Sequence, residues 1–100
     1  MEIDVQALKE RIEGGEKLLI IDVREPNEHA EFSIPSENIP LGTLPGRIYD
    51  FDDDLEQEIV LYCRSGQRSA MAQGLFLQTG FKNVLNLKGG MLEWQSRFGG

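Results

Sequence analysis

Short strand-like runs that alternate with helical segments constrain the fold of this chain more than any other feature. The runs lie at residues 18–21, 59–62 and 84–87, and each is rich in Leu, Ile or Val and bounded by turn-forming or charged residues. Parallel strands need crossover connections, which are usually helices. The alternation therefore predicts an α/β fold with a mainly parallel sheet and helices on both faces.

The helical segments have recognisable boundaries. Asp4 precedes apolar residues at helical spacing, so it is the expected N-cap of an opening helix that ends at the glycine pair 14–15. Further helices are predicted at residues 26–32, after Thr43, at 69–79 and at 91–97, with a brief strand near Ile39. Because residues 69–79 are apolar nearly all round, we expect that helix to pack inside the domain.

Length and charge limit the classes of protein that fit. The 100 residues predict a single domain over 1–100, with residues 97–100 as a terminal tail. Ten Lys and Arg against 17 Asp and Glu give a net charge of −7, which argues against binding to nucleic acid or to anionic membranes. No apolar run is long enough to span a bilayer and the first residues lack a secretory signal, so the expected location is cytoplasmic. The acidic run at 52–54 is typical of a solvated loop, and neither a metal nor a cofactor is expected.

The most informative segment joins the strand at 59–62 to the helix at 69–79, and it consists of Cys63-Arg64-Ser65-Gly66-Gln67-Arg68. A tight turn between a strand and a helix lets successive backbone N–H groups point inward as an anion cradle, and the helix N-terminus adds its positive end. Gly66 permits a backbone conformation that other residues resist, and Ser65 adds a hydroxyl donor. Arg64 and Arg68 bring positive charge to an otherwise acidic chain, which favours the thiolate of Cys63.

Cys63 is the only cysteine, so it forms no internal disulfide. A free cysteine is more often a small buried hydrophobic residue than a reactive one. Its position at a strand end, where it opens a glycine-containing loop with two arginines, instead favours a nucleophile. Arg68 at a helix start is unfavourable for the helix dipole, and an anion opposite it would explain the placement. The sequence thus predicts a small anion site beside a reactive sulfur.

Four stretches of the sequence resemble the single-domain rhodanese family of sulfurtransferases, over nearly the whole chain. They are IIDVRE at 20–25, NIPL at 38–41, IVLYCRSGQRS at 59–69 and LKGGMLEW at 87–94. The resemblance implies a mainly parallel five-stranded sheet, with its first strand at residues 2–4, and a persulfide on Cys63. Many members carry a Gly-His-Ile-Pro-Gly-Ala-like stretch where this chain has FSIPSE at 32–37, so Ser33 replaces the usual histidine and the local loop geometry is left open.

The resemblance implies a double displacement. The Cys63 thiolate attacks the outer sulfur of thiosulfate, sulfite leaves, and the persulfide passes its sulfur to cyanide or to a thiol. The loop residues Arg64, Ser65, Gly66, Gln67 and Arg68 are expected to bind the substrate, with backbone N–H groups on the sulfur anion and both arginines on the oxyanion of the donor. No general base is required, and the only histidine, His29, is expected to be a surface or capping residue. A thioredoxin-like or sulfur-relay protein is a candidate partner.

Residues outside the loop are expected to support it. Asp22 and Arg24 follow the first long strand, and we expect them to brace the edge of the sheet as a pair, because buried charges are usually paired. Ser69 follows the loop directly as a supporting residue. Trp94 lies at helical spacing after the glycine pair 89–90 and is expected in the core.

Three other functions stay open. A cysteine phosphatase or arsenate reductase has a related loop, but it places five residues between cysteine and arginine, whereas four lie between Cys63 and Arg68 and Ser69 takes the next position. A non-catalytic docking module fits less well with the retention of the cysteine and both arginines. A persulfide carrier that delivers its sulfur to a partner protein fits the same residues.

Overall fold

The computed structural model describes residues 1–100 and contains five strands that form one sheet. They are β1 (Glu2–Ile3), β2 (Leu19–Asp22), β3 (Glu37–Asn38), β4 (Glu58–Tyr62) and β5 (Asn83–Leu87). Their order in the sheet is β1-β5-β4-β2-β3, and every neighbouring pair is parallel. The predicted α/β fold with a parallel sheet is therefore confirmed, including the short first strand implied by the family resemblance.

Five α-helices connect and follow the strands. They are α1 (Val5–Glu13), α2 (Pro26–Glu31), α3 (Leu44–Arg47), α4 (Gln67–Gln78) and α5 (Gly90–Phe98), and short 3-10 turns flank α3. Asp4 caps α1 as expected, since its Oδ1 accepts a hydrogen bond from the Ala7 N–H at 2.7 Å. The closing helix α5 continues through Phe98, which leaves Gly99 and Gly100 after it. None of the helices is both long and apolar enough to cross a membrane.

The sheet separates two hydrophobic layers. One layer contains residues of α1 and α5, and the other contains residues of α3 and α4. Side chains alternate between the layers along β4, so that Val60 and Tyr62 face α1 and α5 while Ile59, Leu61 and Cys63 face α4. This alternation places Cys63 on the α4 face, directly after the carboxyl end of the central strand.

Two elements differ from the sequence predictions. The helix that the sequence predicts inside the domain, now seen as α4, is buried on one side only, because Met71 and Leu77 are 65% and 47% exposed. A helix that lies on a sheet buries one stripe only, here through Ala72 and Phe76. The brief strand predicted near Ile39 ends one residue earlier, although the Ile39 N–H still donates to the Asp22 carbonyl at 2.9 Å.

Two further features of the sequence have a clear place in the fold. Trp94 is buried against Phe98, with ring centroids 5.1 Å apart in an edge-to-face arrangement. The acidic run at 52–54 is exposed, and the Asp54 carboxylate accepts a hydrogen bond from the Glu56 N–H at 3.0 Å. No three His, Cys, Asp or Glu side chains converge in a way that could hold a metal ion.

Candidate active site

The loop between β4 and α4 wraps around the sulfur of Cys63. The Gly66 N–H donates to the Sγ at 3.1 Å, the Ser69 N–H donates at 3.4 Å, and the Ser69 Oγ lies 3.3 Å away. Gly66 adopts a φ of +106°, which a residue with a side chain rarely does, and this conformation lets the loop close tightly. Only 1% of Cys63 is exposed. The sulfur thus lies in a small cradle of hydrogen-bond donors.

The cradle shifts the protonation equilibrium of the thiol. Burial acts to raise the pKa of Cys63, but the Ser69 hydroxyl and the backbone N–H groups of Ser69, Gly66 and Ser65 outweigh it and lower the pKa below its ordinary value. We had expected Arg64 and Arg68 to favour the thiolate, whereas the main contribution comes from neutral donors. A thiol with a lowered pKa is a nucleophile without a general base.

The N-terminus of α5 fixes the orientation of the loop. The Met91 N–H donates to the Cys63 carbonyl at 2.9 Å, and the Leu92 N–H donates to the Arg64 carbonyl at 3.0 Å. In a trans peptide the C=O and the following N–H point in opposite directions. The two carbonyls therefore turn outward to α5, and the N–H groups that follow them turn toward the interior of the loop.

Gly90 allows this close approach between α5 and the loop. Its φ is +57°, and a Cβ on this residue would lie 2.4 Å from the Cys63 carbonyl oxygen and 2.6 Å from that of Arg64. From the sequence we had assigned Gly89 and Gly90 only to a turn. The glycine is needed because the backbone of the catalytic loop occupies the space of a side chain.

Asn86 on β5 is a site residue that the sequence analysis missed. Its Nδ2 donates to the Gly66 carbonyl at 3.1 Å, and its Oδ1 accepts from the Ser69 hydroxyl at 2.5 Å. The side chain is buried at the interface of β5 with the loop. Asparagine is disfavoured in strands, so its presence between Leu85 and Leu87 was the signal that could have identified it.

The two arginines of the loop lie in different environments. Arg68 makes a bidentate ion pair with Glu28 of α2, with N···O distances of 2.8 and 3.0 Å. The hydrogen bond from Arg68 is the main reason why the pKa of Glu28 is lowered to about 2. The anion opposite Arg68 in the structure is therefore Glu28, whereas the sequence analysis predicts the oxyanion of the donor in this place. Arg64 is exposed and forms no ion pair, and the side chains of Ser65 and Gln67 are exposed as well.

A buried ionic cluster lies beside the loop at the end of β2. Asp22 is fully buried, and its carboxylate accepts from the Arg24 guanidinium at 2.7 Å. Burial acts to raise the pKa of Asp22, but hydrogen bonds from Arg24 and His29 lower it overall. His29 is half-buried, with 28% of its side chain exposed, and its Nδ1 lies 2.9 Å from the Asp22 Oδ2, a contact that the sequence analysis did not predict. The cluster joins β2, α2 and the segment after α2, because Arg24 also donates to the Phe32 carbonyl.

Comparison with known proteins places the chain in a family. The model of the rhodanese-like domain matches residues 4–97. The chain belongs to the rhodanese-like domain family. A sulfurtransferase from Allochromatium vinosum is 38% identical over 94 residues, which cover 93% of this chain and 86% of the relative. The human single-domain sulfurtransferase TSTD1 superposes with a TM-score of 0.84 at 26% identity, covering 96% of each chain.

A rhodanese-like domain protein from Staphylococcus aureus also superposes with a TM-score of 0.84 at 29% identity, covering 94% of this chain and 91% of the other. These similarities support sulfur transfer as the general activity of the rhodanese domain described above, and they identify it as an enzyme of rhodanese type. They agree with the cradle geometry, in which one buried sulfur is surrounded by donors.

The segment at residues 32–37, in which the sequence analysis left the local geometry open, is anchored by Ser36. Ser33 lies at a half-buried position, followed by the buried Ile34. The Ser36 hydroxyl donates to the Ile34 carbonyl at 2.7 Å and lies 2.9 Å from the Tyr62 hydroxyl. Burial raises the pKa of Tyr62 to about 12, so this phenol stays protonated and available for the contact. The contact between the hydroxyls of Ser36 and Tyr62 thus ties this segment to the end of β4.

Proposed function

We propose that this rhodanese domain moves the sulfane sulfur of thiosulfate to cyanide or to a thiol through a persulfide on Cys63. The observation that supports this most directly is the sulfur of Cys63 within a cradle of N–H and O–H donors. Donors of this kind stabilise negative charge on sulfur before and after it accepts a second sulfur atom.

The proposed reaction has two displacements. In the first, the Cys63 thiolate forms a bond to the outer sulfur of thiosulfate while the S–S bond of the donor breaks, and its electron pair leaves with sulfite. In the second, the acceptor bonds to the outer sulfur of the persulfide and Cys63 leaves as the thiolate. With cyanide as acceptor no proton has to move, which is consistent with a site in which His29 is engaged by Asp22.

We further propose that Arg64 makes the first contact with the donor. Arg64 follows Cys63 directly in the chain, is exposed and forms no ion pair, whereas the Arg68 guanidinium is paired with Glu28. Because Arg64 is exposed, a contact between its charge and a sulfonate-like group is worth at most about 1 kcal/mol. Backbone N–H groups of the loop, including those of Ser65 and Gly66, complete the binding of the transferred sulfur.

The first test is the intact mass of the protein after incubation with thiosulfate, desalting and addition of cyanide. We expect Cys63 to gain one sulfur atom and to lose it to cyanide, while Cys63→Ser gains none and keeps the far-UV circular dichroism spectrum of the parent protein. No gain with thiosulfate would contradict the proposed donor. A persulfide that resists cyanide and small thiols but transfers to the cysteine of a thioredoxin-like protein would instead assign the role of persulfide carrier.

A further inference from the structure

The Ser69 hydroxyl has one proton and two acceptors in contact with it. One acceptor is the Cys63 Sγ at 3.3 Å, and the other is the Asn86 Oδ1 at 2.5 Å. All three side chains are buried. A hydroxyl donates one hydrogen bond at a time, and an amide oxygen accepts only. The thiolate and the amide oxygen therefore compete for the same proton.

The proposed reaction changes the strength of one of these acceptors. In the free enzyme the negative charge lies on the Cys63 Sγ, and hydrogen bonds to a charged acceptor are stronger than those to a neutral one. In the persulfide the Sγ is bonded to carbon and to the outer sulfur, which carries the charge. The inner sulfur then becomes a weak acceptor, so the hydroxyl proton is held better by Asn86.

Asn86 is fixed in the orientation that this exchange needs. Its Nδ2 donates to the Gly66 carbonyl at 3.1 Å, which keeps the Oδ1 directed at Ser69. No buried side-chain nitrogen or oxygen in the protein is left without a hydrogen-bond partner. The amide thus offers the hydroxyl a second partner at no cost in rearrangement of the loop.

We propose that Asn86 is a positioning residue whose Oδ1 accepts the hydrogen bond of the Ser69 hydroxyl whenever the charge moves from the Cys63 Sγ to the outer sulfur. The hydroxyl rotates between its two acceptors once in each half-reaction, and no proton leaves the site. This inference rests on the proposed persulfide chemistry. Its consequence is that Asn86 disfavours the thiolate and favours the persulfide.

The variants that test the proposal leave the charged groups at this edge of the sheet unchanged, with the exception of Asn86→Asp. These groups are Arg64, Arg68, Glu28, Asp22, Arg24, His29, Lys88 and Glu93. A change in the titration of Cys63 among the neutral variants therefore reports the hydrogen bonds of Ser69 and Asn86.

The test compares Ser69→Ala, Asn86→Leu and the double variant by the pH dependence of Cys63 alkylation with iodoacetamide. This readout does not depend on sulfur transfer. We expect Ser69→Ala to raise the thiol pKa by about one unit, from the loss of one hydrogen bond. Asn86→Leu releases the hydroxyl to the thiolate and lowers the pKa by up to about one unit. In the Ser69→Ala background, Asn86→Leu has no effect.

A second readout is the fraction of persulfide at a fixed ratio of thiosulfate to sulfite. We expect Asn86→Leu to lower the equilibrium constant for persulfide formation by roughly 3- to 10-fold, the equivalent of one neutral hydrogen bond. A raised thiol pKa in Asn86→Leu, or the same shift with and without the Ser69 hydroxyl, would overturn the proposal. If the parent protein takes up no sulfur, both the proposed function and the proposed exchange of hydrogen-bond acceptors by the Ser69 hydroxyl fail. The alkylation data still show whether Asn86 competes with Cys63 for the hydroxyl proton.

Asn86→Asp serves if the leucine variant does not fold. A carboxylate accepts more strongly than an amide, so it holds the Ser69 proton and raises the thiol pKa. That rise becomes smaller in the Ser69→Ala background, where only the direct repulsion between the two anions is left. An equal rise in both backgrounds would contradict the role of the hydroxyl.

Discussion

Replacement of Gly90 by alanine tests whether the contact between α5 and the loop shapes the active site. The added Cβ would lie 2.4 Å from the Cys63 carbonyl oxygen and 2.6 Å from the Arg64 carbonyl oxygen, far inside normal contact distances. Both of these atoms belong to backbone, so neither can rotate away. We expect the N-terminus of α5 and the loop to move apart.

The magnitude follows from two contributions. A left-handed conformation at a residue with a side chain costs about 1–2 kcal/mol. Separation of α5 from the loop weakens the hydrogen bonds from Met91 to Cys63 and from Leu92 to Arg64, each worth about 1 kcal/mol. The free energy of unfolding is thus expected to fall by roughly 2–4 kcal/mol. A displacement of the cradle by about 1 Å lowers the rate of sulfur transfer by roughly 100-fold.

The assays are urea unfolding and steady-state sulfur transfer from thiosulfate to cyanide, with Gly74→Ala as the matched control. Gly74 lies in α4 with nothing within 4 Å of the position of a Cβ, so alanine there is expected to stabilise by about 0.5–1 kcal/mol. Opposite signs for the two substitutions support the reasoning. A Gly90→Ala protein that is as stable and as active as its parent would refute it.

Three further predictions concern the ion pairs around the loop. Glu28→Gln removes the charge that engages the Arg68 guanidinium and frees it for the donor. We therefore expect the KM for thiosulfate in steady-state kinetics to fall about 3- to 10-fold. A higher KM would mean that Glu28 positions Arg68 for binding. Asp22→Asn leaves Arg24 buried without its counter-ion, and we expect the free energy of unfolding in urea titrations to fall by about 3–5 kcal/mol. An unchanged free energy of unfolding would show that the ion pair does not stabilise the fold. Because the pKa values of Asp22 and Glu28 are lowered, their contribution to stability is complete above an unfolded-state pKa of about 4 and is lost as the pH falls through their folded values, about 2 for Glu28. Urea midpoints measured from neutral to acidic pH check this, and in Glu28→Gln the loss on acidification should be smaller.

Local sequence patterns were sufficient for most of the fold because each element carries its own signal. The run at 59–62 and the cap at Asp4 correspond directly to β4 and to the start of α1. β1 is only two residues long, which is too short for any periodicity, so it was identified from the family resemblance alone. For α4, composition predicted a helix correctly, but it could not show which side of the helix the sheet would cover.

The site was predictable where neighbouring residues build it and unpredictable where distant residues meet. The left-handed Gly66 and the N–H cradle follow from the order of residues in one loop. The contacts of Glu28 with Arg68 and of Asn86 with Gly66 join residues that are 40 and 20 positions apart. Nothing in the sequence selects Glu28 from the 17 acidic residues as the partner of Arg68. Such pairs depend on the register of the sheet and on the packing of α2.

Neutral hydrogen-bond donors around the Cys63 sulfur suit a reaction in which the negative charge moves from one sulfur atom to another. A cation fixed against the Cys63 Sγ would hold the charge on the inner sulfur and oppose its movement to the outer one. Backbone N–H groups and the Ser69 hydroxyl contact the Sγ without this penalty, and Arg64, the next residue in the chain, is exposed and forms no ion pair. Substitutions at Ser69 and Asn86 should therefore alter the balance between thiolate and persulfide, whereas a substitution at Arg64 should alter the binding of the donor alone.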